Sequence, residues 1–401
     1  MRTLRLQPDT VGPVARGHPW VYRDGVEPPG SCGEPVLLVD PAGRAVAFGL
    51  TDCDEIAVRV LGRHAQPVER LVAERVAAAQ AWREACVPFD TDAFRLINGA
   101  GDGLPDLVVD RYADLAVLRL YSAAWEPWLD AVLDALRALP WVRCVARRLG
   151  VQRVDGQRGL AALHGGPPAE QLVVREHGLR FLARPAEGQK TGLFLDQREN
   201  RHHIAGWARG REVINLFGYT GGFSVHAAAA GAARTVTVDQ APEALADARQ
   251  NFSLNGLDPD RHGFELADAF CWHPSHPVGL VICDPPSLSR GARSDGAARA
   301  AYRELNGHVA GMVARGGLLA TASCTARLRE ERWLEEVRRG IGRVPGPWSL
   351  VHQAREPADH PVAAGHPEGH YLKLAVFLRA GGPTASAPGS GYTPSTRGSA
   401  R

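Results

Sequence analysis

The sequence predicts an α/β protein whose C-terminal part is a doubly wound parallel sheet, preceded by a small β-barrel and an α+β middle unit. Three patterns along the 401 residues support this division. Short apolar runs separated by Gly and Pro occupy residues 1–66, a helix and alternating strand-like runs occupy 67–185, and strands alternate with long helical patterns over 186–380. A chain of this length exceeds one typical domain, which agrees with several units.

The first unit is predicted from its short β runs and turn residues. Residues 35–40 and 55–61 form the clearest strands. Arg16 and Trp20 lie near its beginning, and guanidinium and aromatic groups suit phosphates and stacked bases. We therefore expect Arg16 and Trp20 to contact nucleic acid, although a formal net charge of +2 provides no overall cationic field.

The middle and last units are predicted from hydrophobic periodicity. In the middle unit, helices are expected over 68–85 and near 127–139, and strands over 94–99, 107–112 and 115–120. In the last unit, strands are expected over 213–216, 235–238, 264–266, 280–283 and 318–322, and helices over 223–230, 242–254 and 299–315, the last ended by Gly316-Gly317. Residues 381–401 are rich in Gly, Ser, Pro and Thr, so we predict a disordered tail.

A glycine-rich turn follows the first strand of the last unit and predicts a cofactor pocket, because glycine lets backbone approach a ligand closely. The residues expected to line it are Asn215, Phe217, Gly218, Tyr219, Thr220 and Gly221. Asp239 ends the next strand, where an acid accepts hydrogen bonds from ribose hydroxyls, and Asp268 is placed to reach an adenine amino group. A nicotinamide dinucleotide and S-adenosylmethionine both suit this architecture, and the spacing does not separate them.

The corner Asp284-Pro285-Pro286 after the fourth strand favours S-adenosylmethionine. Although Asp-Pro-Pro can be a plain turn, this is the position where methyltransferases hold the group that they modify. Cys324 follows the fifth strand at the same edge of the sheet, so its thiol and the Asp284 carboxylate can face one base. Cys283 is assigned to the core, because side chains alternate along a strand.

A cysteine beside a methyl donor predicts covalent catalysis on a pyrimidine. Carbon 5 of cytosine or uracil is a poor nucleophile until a thiolate adds to carbon 6 and turns the ring into an enamine or enolate. We expect Cys324 to be this nucleophile, and Asp284 to hydrogen bond ring nitrogen 3 or the exocyclic amine. The group that removes the carbon 5 proton is not assigned.

Four separated motifs occur in the order of a known family: residues 188–198, 215–223, 284–286 and 323–325. They resemble the bacterial large-subunit (23S) ribosomal RNA cytosine-5 methyltransferases. The resemblance implies a PUA-like RNA-binding domain, an α+β middle domain and a Rossmann-like class I methyltransferase domain. It places Asp196, Gln197 and Arg198 beside the cofactor, and Lys190, Lys373, Pro285 and Pro286 on the substrate side. Lys190 and Lys373 are the only lysines of the chain.

The sequence therefore predicts an S-adenosylmethionine-dependent enzyme that forms 5-methylcytidine in 23S ribosomal RNA. Uracil-5 methylation, guanine N-methylation and a noncatalytic ribosome-assembly protein remain alternatives. Expected partners are ribosomal RNA or the assembling large subunit, with a possible homodimer. The seven cysteines form no C-x-x-C pair, so we expect no metal site. We expect no membrane partner and a cytoplasmic location, because no run approaches the roughly 20 apolar residues needed to span a bilayer.

Overall fold

The computed structural model describes residues 1–150, 159–188, 192–288 and 295–381. The predicted tail and Lys190 lie outside these ranges, except for Gly381. Within the described ranges, no helix combines the length and the apolar character needed to cross a membrane.

The first unit is a small β-barrel, as predicted. Its elements are β1 (Arg2–Arg5), α1 (Pro8–Ala15), β2 (Trp20–Tyr22), β3 (Pro35–Val39), β4 (Ala45–Thr51) and β5 (Ile56–Gly62). The strand order is β1-β3-β4-β5-β2, and a bridge between Leu6 and Val26 joins the two edges and closes the sheet. Helix α1 was not predicted, because Pro13 inside its eight residues argues against a helix in the sequence.

The middle unit is a second five-stranded sheet covered by two helices. Its elements are α2 (Val68–Cys86), β6 (Ala93–Asn98), β7 (Leu107–Tyr112), β8 (Leu115–Leu120), α3 (Leu129–Arg137), β9 (Cys144–Leu149) and β10 (Gly159–His164), followed by the hairpin β11 (Leu172–Glu176) and β12 (Leu179–Ala183). The sheet order is β10-β9-β8-β7-β6. Strands β9 to β12 were not predicted. In β10 every residue is at least partly exposed, so the apolar alternation that identifies a strand is absent there.

The last unit is the predicted doubly wound α/β domain. Its elements are α4 (Arg198–Ala205), β13 (Glu212–Leu216), α5 (Gly222–Ala229), β14 (Arg234–Asp239), α6 (Pro242–Leu254), β15 (Gly263–Leu266), β16 (Val278–Cys283), α7 (Asp295–Ala310), β17 (Val313–Ser323), α8 (Glu330–Ile341), β18 (Trp348–Ala354) and β19 (Lys373–Arg379). The sheet order is β15-β14-β13-β16-β17-β19-β18. In this order the first five strands are parallel to one another, and β19 pairs antiparallel with both β17 and β18.

The predicted end of the helix before the fifth strand is wrong. Helix α7 ends at Ala310, and β17 already begins at Val313. The pairing with β16 shifts register between Val278 and Leu280, and Gly316 has a φ of 78°. Gly316 and Gly317 thus belong to an irregularity inside the strand. In the sequence, a glycine pair of this kind cannot be told from one that ends a helix.

The strand order reverses at β13, which lies between β14 and β16. In sheets of this kind, ligands bind outside the carboxyl ends of the strands at such a switch point. The connection between β18 and β19 returns toward the middle unit, where a Cβ on Gly101 would lie within 2.5 Å of the Pro361 carbonyl carbon. The third unit and the middle unit are therefore in direct contact beside the sheet.

Candidate active site

The turn between β13 and α5 has a strained backbone that is fixed by β14. Phe217 and Tyr219 have φ values of 57° and 47°, which are unfavourable for residues other than glycine. Gly218 lies between them, and a Cβ there would be 2.5 Å from Thr237 Cγ2. The Tyr219 N–H donates to Asp239 Oδ2 at 2.8 Å. The turn is thus held in one conformation at the carboxyl end of the sheet.

Asp239 stands where the sequence places it, after β14 and beside the turn. Its second carboxylate oxygen, Oδ1, accepts from the Ala241 N–H at 2.9 Å. A carboxylate oxygen has two acceptor sites, so these backbone contacts orient the group and leave capacity for hydroxyl donors. The predicted ribose contact stays a prediction that this geometry supports.

The predicted adenine side of the pocket contains an aromatic ring, that of Phe270, which sequence reasoning missed. Asp268 is exposed, and its Oδ1 accepts from the Phe270 N–H at 3.0 Å. The Phe270 ring is 41% exposed and packs edge-on against Phe217 at 5.0 Å. An exposed aromatic ring beside a polar acceptor suits a planar base. The sequence signal that could have identified this ring is a large apolar residue two positions after Asp268.

Three of the predicted cofactor residues, Asn215, Thr220 and Gly221, are buried. The Asn215 side chain is 1% exposed, and its Nδ2 donates to Ser224 Oγ at 3.0 Å. The Thr220 carbonyl accepts from Asn251 Nδ2 at 2.9 Å, and Gly221 lies against Ala248, whose Cβ would be 3.0 Å from an added Cβ. These contacts support the turn from the protein side.

The segment before α4 joins the turn to the β18–β19 connection. Phe194 packs edge-on against Tyr219 at 5.4 Å. Asp196 Oδ2 accepts from the Tyr371 hydroxyl at 2.6 Å, and burial, followed by the Asp196 charge, raises the pKa of Tyr371 well above its usual value. Asp196 is thereby oriented beside the glycine turn, as the resemblance implies.

Arg198 is occupied by a structural contact. Its guanidinium is 1% exposed and donates to both carboxylate oxygens of Asp359 at 2.8 and 3.0 Å. This bidentate pair fixes the start of α4 to the β18–β19 connection. A direct contact of Arg198 with the cofactor stays a prediction, and the structure gives this side chain another role.

The residues around the turn fit a nucleoside cofactor. Gln197 Nε2 and Asn215 Oδ1 are buried, and neither has a hydrogen-bond partner among the residues that the structure describes. Buried polar atoms are rarely left without a partner. The Gln197 donor and the Asn215 acceptor thus remain beside the glycine turn and the oriented Asp239 carboxylate. A ligand with hydroxyl and amino groups requires such partners.

Asp284 and Cys324 lie at the same edge of the sheet. They follow β16 and β17, which are adjacent parallel strands paired at Cys283 and Thr321. Both side chains are partly accessible, and Cys324 is a free thiol. Cys283 is fully buried, as expected for the core, and this burial raises the pKa of its thiol. Pro285 is buried and Pro286 is exposed at this corner.

A chain of hydroxyl groups holds the two loops together, and the sequence did not indicate it. Ser287 Oγ and Thr325 Oγ1 are 3.1 Å apart. The Tyr302 hydroxyl, from α7, lies 2.7 Å from Thr325 Oγ1 and accepts from Ser323 Oγ at 2.8 Å. Burial raises the pKa of Tyr302, which keeps it a neutral donor. The backbone on both sides of Cys324 is therefore fixed.

Lys373, one of two lysines in the chain, lies under the Cys324 loop. Its side chain is 4% exposed, and Nζ donates to the carbonyl oxygens of Thr325 at 2.7 Å and Tyr371 at 3.0 Å. Burial lowers its pKa, while the negative form of Cys324 acts in the opposite direction. The ammonium group is thus close enough to interact electrostatically with the Cys324 thiolate.

Arg16 and Trp20 lie in a cleft of about 870 Å³ between the barrel and residues 364–368. Arg16 is exposed. Trp20 Nε1 donates to Asp106 Oδ2 at 3.1 Å, and its ring packs against His366 at 4.4 Å. The predicted nucleic-acid contacts are therefore in an open cleft at the joint between two units.

The fold and this site define a methyltransferase of the Rossmann-like class with an additional small barrel. Residues 95–364 match the S-adenosylmethionine-dependent methyltransferase family, and residues 4–63 match a PUA-like domain. The chain belongs to this family of S-adenosylmethionine-dependent methyltransferases, and S-adenosylmethionine is its cofactor. The predicted family, fold class and cofactor are confirmed.

Named relatives extend over nearly the whole chain. A ribosomal RNA large subunit methyltransferase of Deinococcus radiodurans is 39% identical over 394 residues, covering 91% of this chain and 94% of that protein. Ribosomal RNA large subunit methyltransferase I of Escherichia coli is 33% identical over 378 residues, covering 90% and 95%. The solved structure of a protein described as a methyltransferase complexed with SAH has a TM-score of 0.83 at 22% identity, covering 94% of this chain and 100% of the other, which shows a shared fold.

Proposed function

We propose that this enzyme methylates carbon 5 of a cytosine in large-subunit ribosomal RNA through a covalent adduct with Cys324. The observation that carries the proposal is the position of the Cys324 thiol and the Asp284 carboxylate after adjacent parallel strands, at the edge that holds the glycine turn. The names of the relatives supply the substrate class, ribosomal RNA of the large subunit.

The reaction follows from the chemistry of the ring. The Cys324 thiolate adds to carbon 6, and the electron pair displaced from the 5,6 double bond makes carbon 5 nucleophilic. The cofactor supplies an electrophilic methyl group, which carbon 5 accepts. A base then removes the carbon 5 proton, the carbon–sulfur bond breaks, and the thiolate is regenerated. Atoms and charges balance, and no oxidant or metal is required.

The surrounding residues prepare the thiol and the ring. The Lys373 ammonium favours the anionic form of Cys324, and the hydrogen bonds of Tyr302 and Thr325 hold the loop that carries it. Asp284 accepts from the exocyclic amine as a carboxylate, or donates to ring nitrogen 3 when it is protonated, and either contact selects cytosine. A base in folded RNA has to be flipped out of its stack to reach this edge.

The decisive experiment replaces the nucleophile. We expect Cys324→Ala to reduce methyl transfer to ribosomal RNA by roughly three orders of magnitude or more, because no other group supplies the carbon 6 adduct. Affinity for S-adenosylmethionine should stay near the parent value, since Cys324 follows a different strand from the glycine turn. Transfer of radiolabelled methyl groups and calorimetry measure the two quantities.

Exposed Cys53 provides the matched control, and Cys53→Ala should keep full activity. Activity retained by Cys324→Ala would exclude the covalent mechanism and favour guanine N-methylation on the same fold. Nucleoside analysis of the product separates 5-methylcytidine from 5-methyluridine. A parent protein that binds no S-adenosylmethionine would instead indicate a noncatalytic ribosome-assembly role.

We further infer the organisation of the whole protein from its units. Residues 1–66 act as an RNA-binding domain, 67–185 as a middle domain and 186–380 as the methyltransferase domain. The exposed Arg16 and the cleft beside Trp20 support RNA contact by the first of these. Comparison of naked RNA with assembling large subunits tests the form of the substrate, and sedimentation tests the expected homodimer.

A further inference from the structure

The joint between the PUA-like barrel and the methyltransferase domain contains two histidines and a glutamate. We propose that His18, His366 and Glu368 bind a divalent transition metal of the zinc type and thereby connect the two domains. One potential ligand atom from each residue lies within 4.8 Å of the other two. Glu368 is exposed, so its side chain is free to move toward the separations that metal ligands have.

His18 is oriented as a metal-binding imidazole. Its Nδ1 lies 2.9 Å from the Trp20 carbonyl oxygen and 3.3 Å from the Trp20 N–H, and in the tautomer that makes the shorter contact a proton on Nδ1 donates to that oxygen. The lone pair is then on Nε2, which is available to a metal. Ligating histidines generally donate their second N–H to a carbonyl or carboxylate in this way, which fixes the tautomer and the ring.

The second histidine comes from the other domain and is equally constrained. The His18 and His366 rings are 5.5 Å apart between centroids and nearly perpendicular, at 83°. His366 also packs against the Trp20 ring at 4.4 Å and is 8% exposed. Both imidazoles are therefore held before a metal arrives, which reduces the entropy lost on binding.

The backbones that carry these ligands are in contact. A Cβ on Gly365 would lie 2.4 Å from the Gly17 carbonyl carbon, so the two loops touch where only glycine fits. The connection between β18 and β19 is thereby held against the barrel beside His18. A metal bound here adds a link between elements that already meet, without requiring any domain movement.

The donor set determines the class of metal. Two imidazoles and a carboxylate suit Zn²⁺, Co²⁺ or Ni²⁺, whereas Mg²⁺ prefers oxygen ligands and retains water. Three protein ligands leave a coordination position toward the cleft of about 870 Å³. Sequence motifs did not predict this site, because His18 stands at the opposite end of the chain from the other two residues.

The test uses the full-length protein after treatment with a chelator. We expect ZnCl₂ to bind in calorimetry at one equivalent, with an affinity roughly tenfold or more weaker in His366→Gln and in His18→Gln. MgCl₂ should not compete. His64→Gln is the control, because His64 is an exposed histidine of the same barrel outside the cluster.

Cobalt distinguishes this site from the cysteines. Bound Co²⁺ should show ligand-field bands without the intense near-ultraviolet charge-transfer band of thiolate ligands, and these bands should disappear in His366→Gln. Thermal unfolding of the chelator-treated variants checks that they fold like the parent. Equal zinc affinity in parent and His366→Gln, or thiolate bands in the parent, would overturn the proposal.

Discussion

At the scale of single residues, the proposed chemistry depends on the thiol of Cys324, whose surroundings come from several elements. Cys324 follows β17, Tyr302 comes from α7, and Lys373 begins β19. The lysine is buried and donates to two carbonyl oxygens, one of them in the residue after the cysteine. A buried ammonium beside this loop favours the negative form of the Cys324 sulfur, because the protein interior screens the attraction between the two charges less than water does.

We predict that Lys373→Met slows methyl transfer on the order of tenfold near neutral pH, equivalent to about 1.4 kcal/mol of barrier. Burial lowers the pKa of Lys373, so the parent protein loses the positive charge of this side chain as pH rises. Glu356 and Glu330 raise this pKa and Arg355 lowers it, so their effects partly cancel. The difference between parent and variant should therefore shrink toward alkaline pH. A pH profile of the transfer rate measures this.

The same variant also tests for a merely structural role. Loss of two hydrogen bonds would reduce the rate by the same factor at every pH. That outcome, or an unchanged rate, would contradict an electrostatic role of Lys373. The Tyr302→Phe variant serves as comparison, because it loosens the loop without removing a charge.

At the scale of elements, the cofactor turn depends on the close approach of β13 and β14. The sequence showed the glycines and the flanking strand and helix. It did not show that Phe217 and Tyr219, and not Gly218, would have positive φ. Gly218 is required for space instead, since Thr237 of the neighbouring strand occupies the position that a side chain would need.

We predict that Gly218→Ala weakens S-adenosylmethionine binding by roughly tenfold or more, because the turn has to move away from Thr237. Calorimetric titration of the cofactor measures the effect. Gly43→Ala is the control: it places a side chain at a φ of 82° with no atom within 4 Å, in the first domain. It should reduce stability by about 1–2 kcal/mol and leave cofactor affinity unchanged. Equal cofactor affinity in Gly218→Ala and the parent would remove the turn from the binding site.

At the scale of the whole molecule, a buried carboxylate connects two domains. Asp359, in the connection between β18 and β19, accepts from Arg198 at 2.8 and 3.0 Å and from the Arg95 N–H at 3.0 Å. Burial alone would raise the pKa of Asp359, but His360 and Arg198 lower it far below its usual value. One carboxylate thus links the methyltransferase domain to the middle domain.

We predict that Asp359→Asn destabilises the protein by roughly 3–5 kcal/mol at neutral pH, because it removes the buried bidentate partner of Arg198 and leaves this buried charge only the partly exposed Glu199. A carboxyl group with a lowered pKa stabilises the fold above its unfolded pKa of about 3.9, and this contribution is lost as pH falls below that value. The difference between parent and variant should shrink in acid. Urea unfolding at neutral and acidic pH measures it.

The control for this prediction is an ion pair on the surface. Arg70 and Glu74 form an exposed pair at 2.7 Å within α2, and Glu74→Gln should cost less than about 1 kcal/mol. Similar losses in both variants would mean that Asp359 does not connect the domains.

The sequence predicted the elements of the fold more completely than the contacts of the candidate site. It predicted the alternation of strands and helices in the last unit, because parallel strands and their covering helices have strong hydrophobic periodicity. It missed α1 and β9 to β12, where the elements are short or partly exposed, and it placed the end of α7 wrongly because Gly316-Gly317 resembles a helix stop. It indicated Asp284 and Cys324 because each directly follows a strand, but not Tyr302, whose contact comes from a helix distant in sequence.

The sequence by itself determined the fold class and the family and singled out Asp284 and Cys324 as candidate reacting groups, since these are local patterns repeated in a fixed order. Only the tertiary structure decided which residues support them: Lys373 beneath the cysteine loop, Arg198 on Asp359, and His18 against His366. The physical reason is that a motif is read along the chain, whereas burial and charge depend on groups that folding brings together from distant positions. Such partners have no signature in a single sequence.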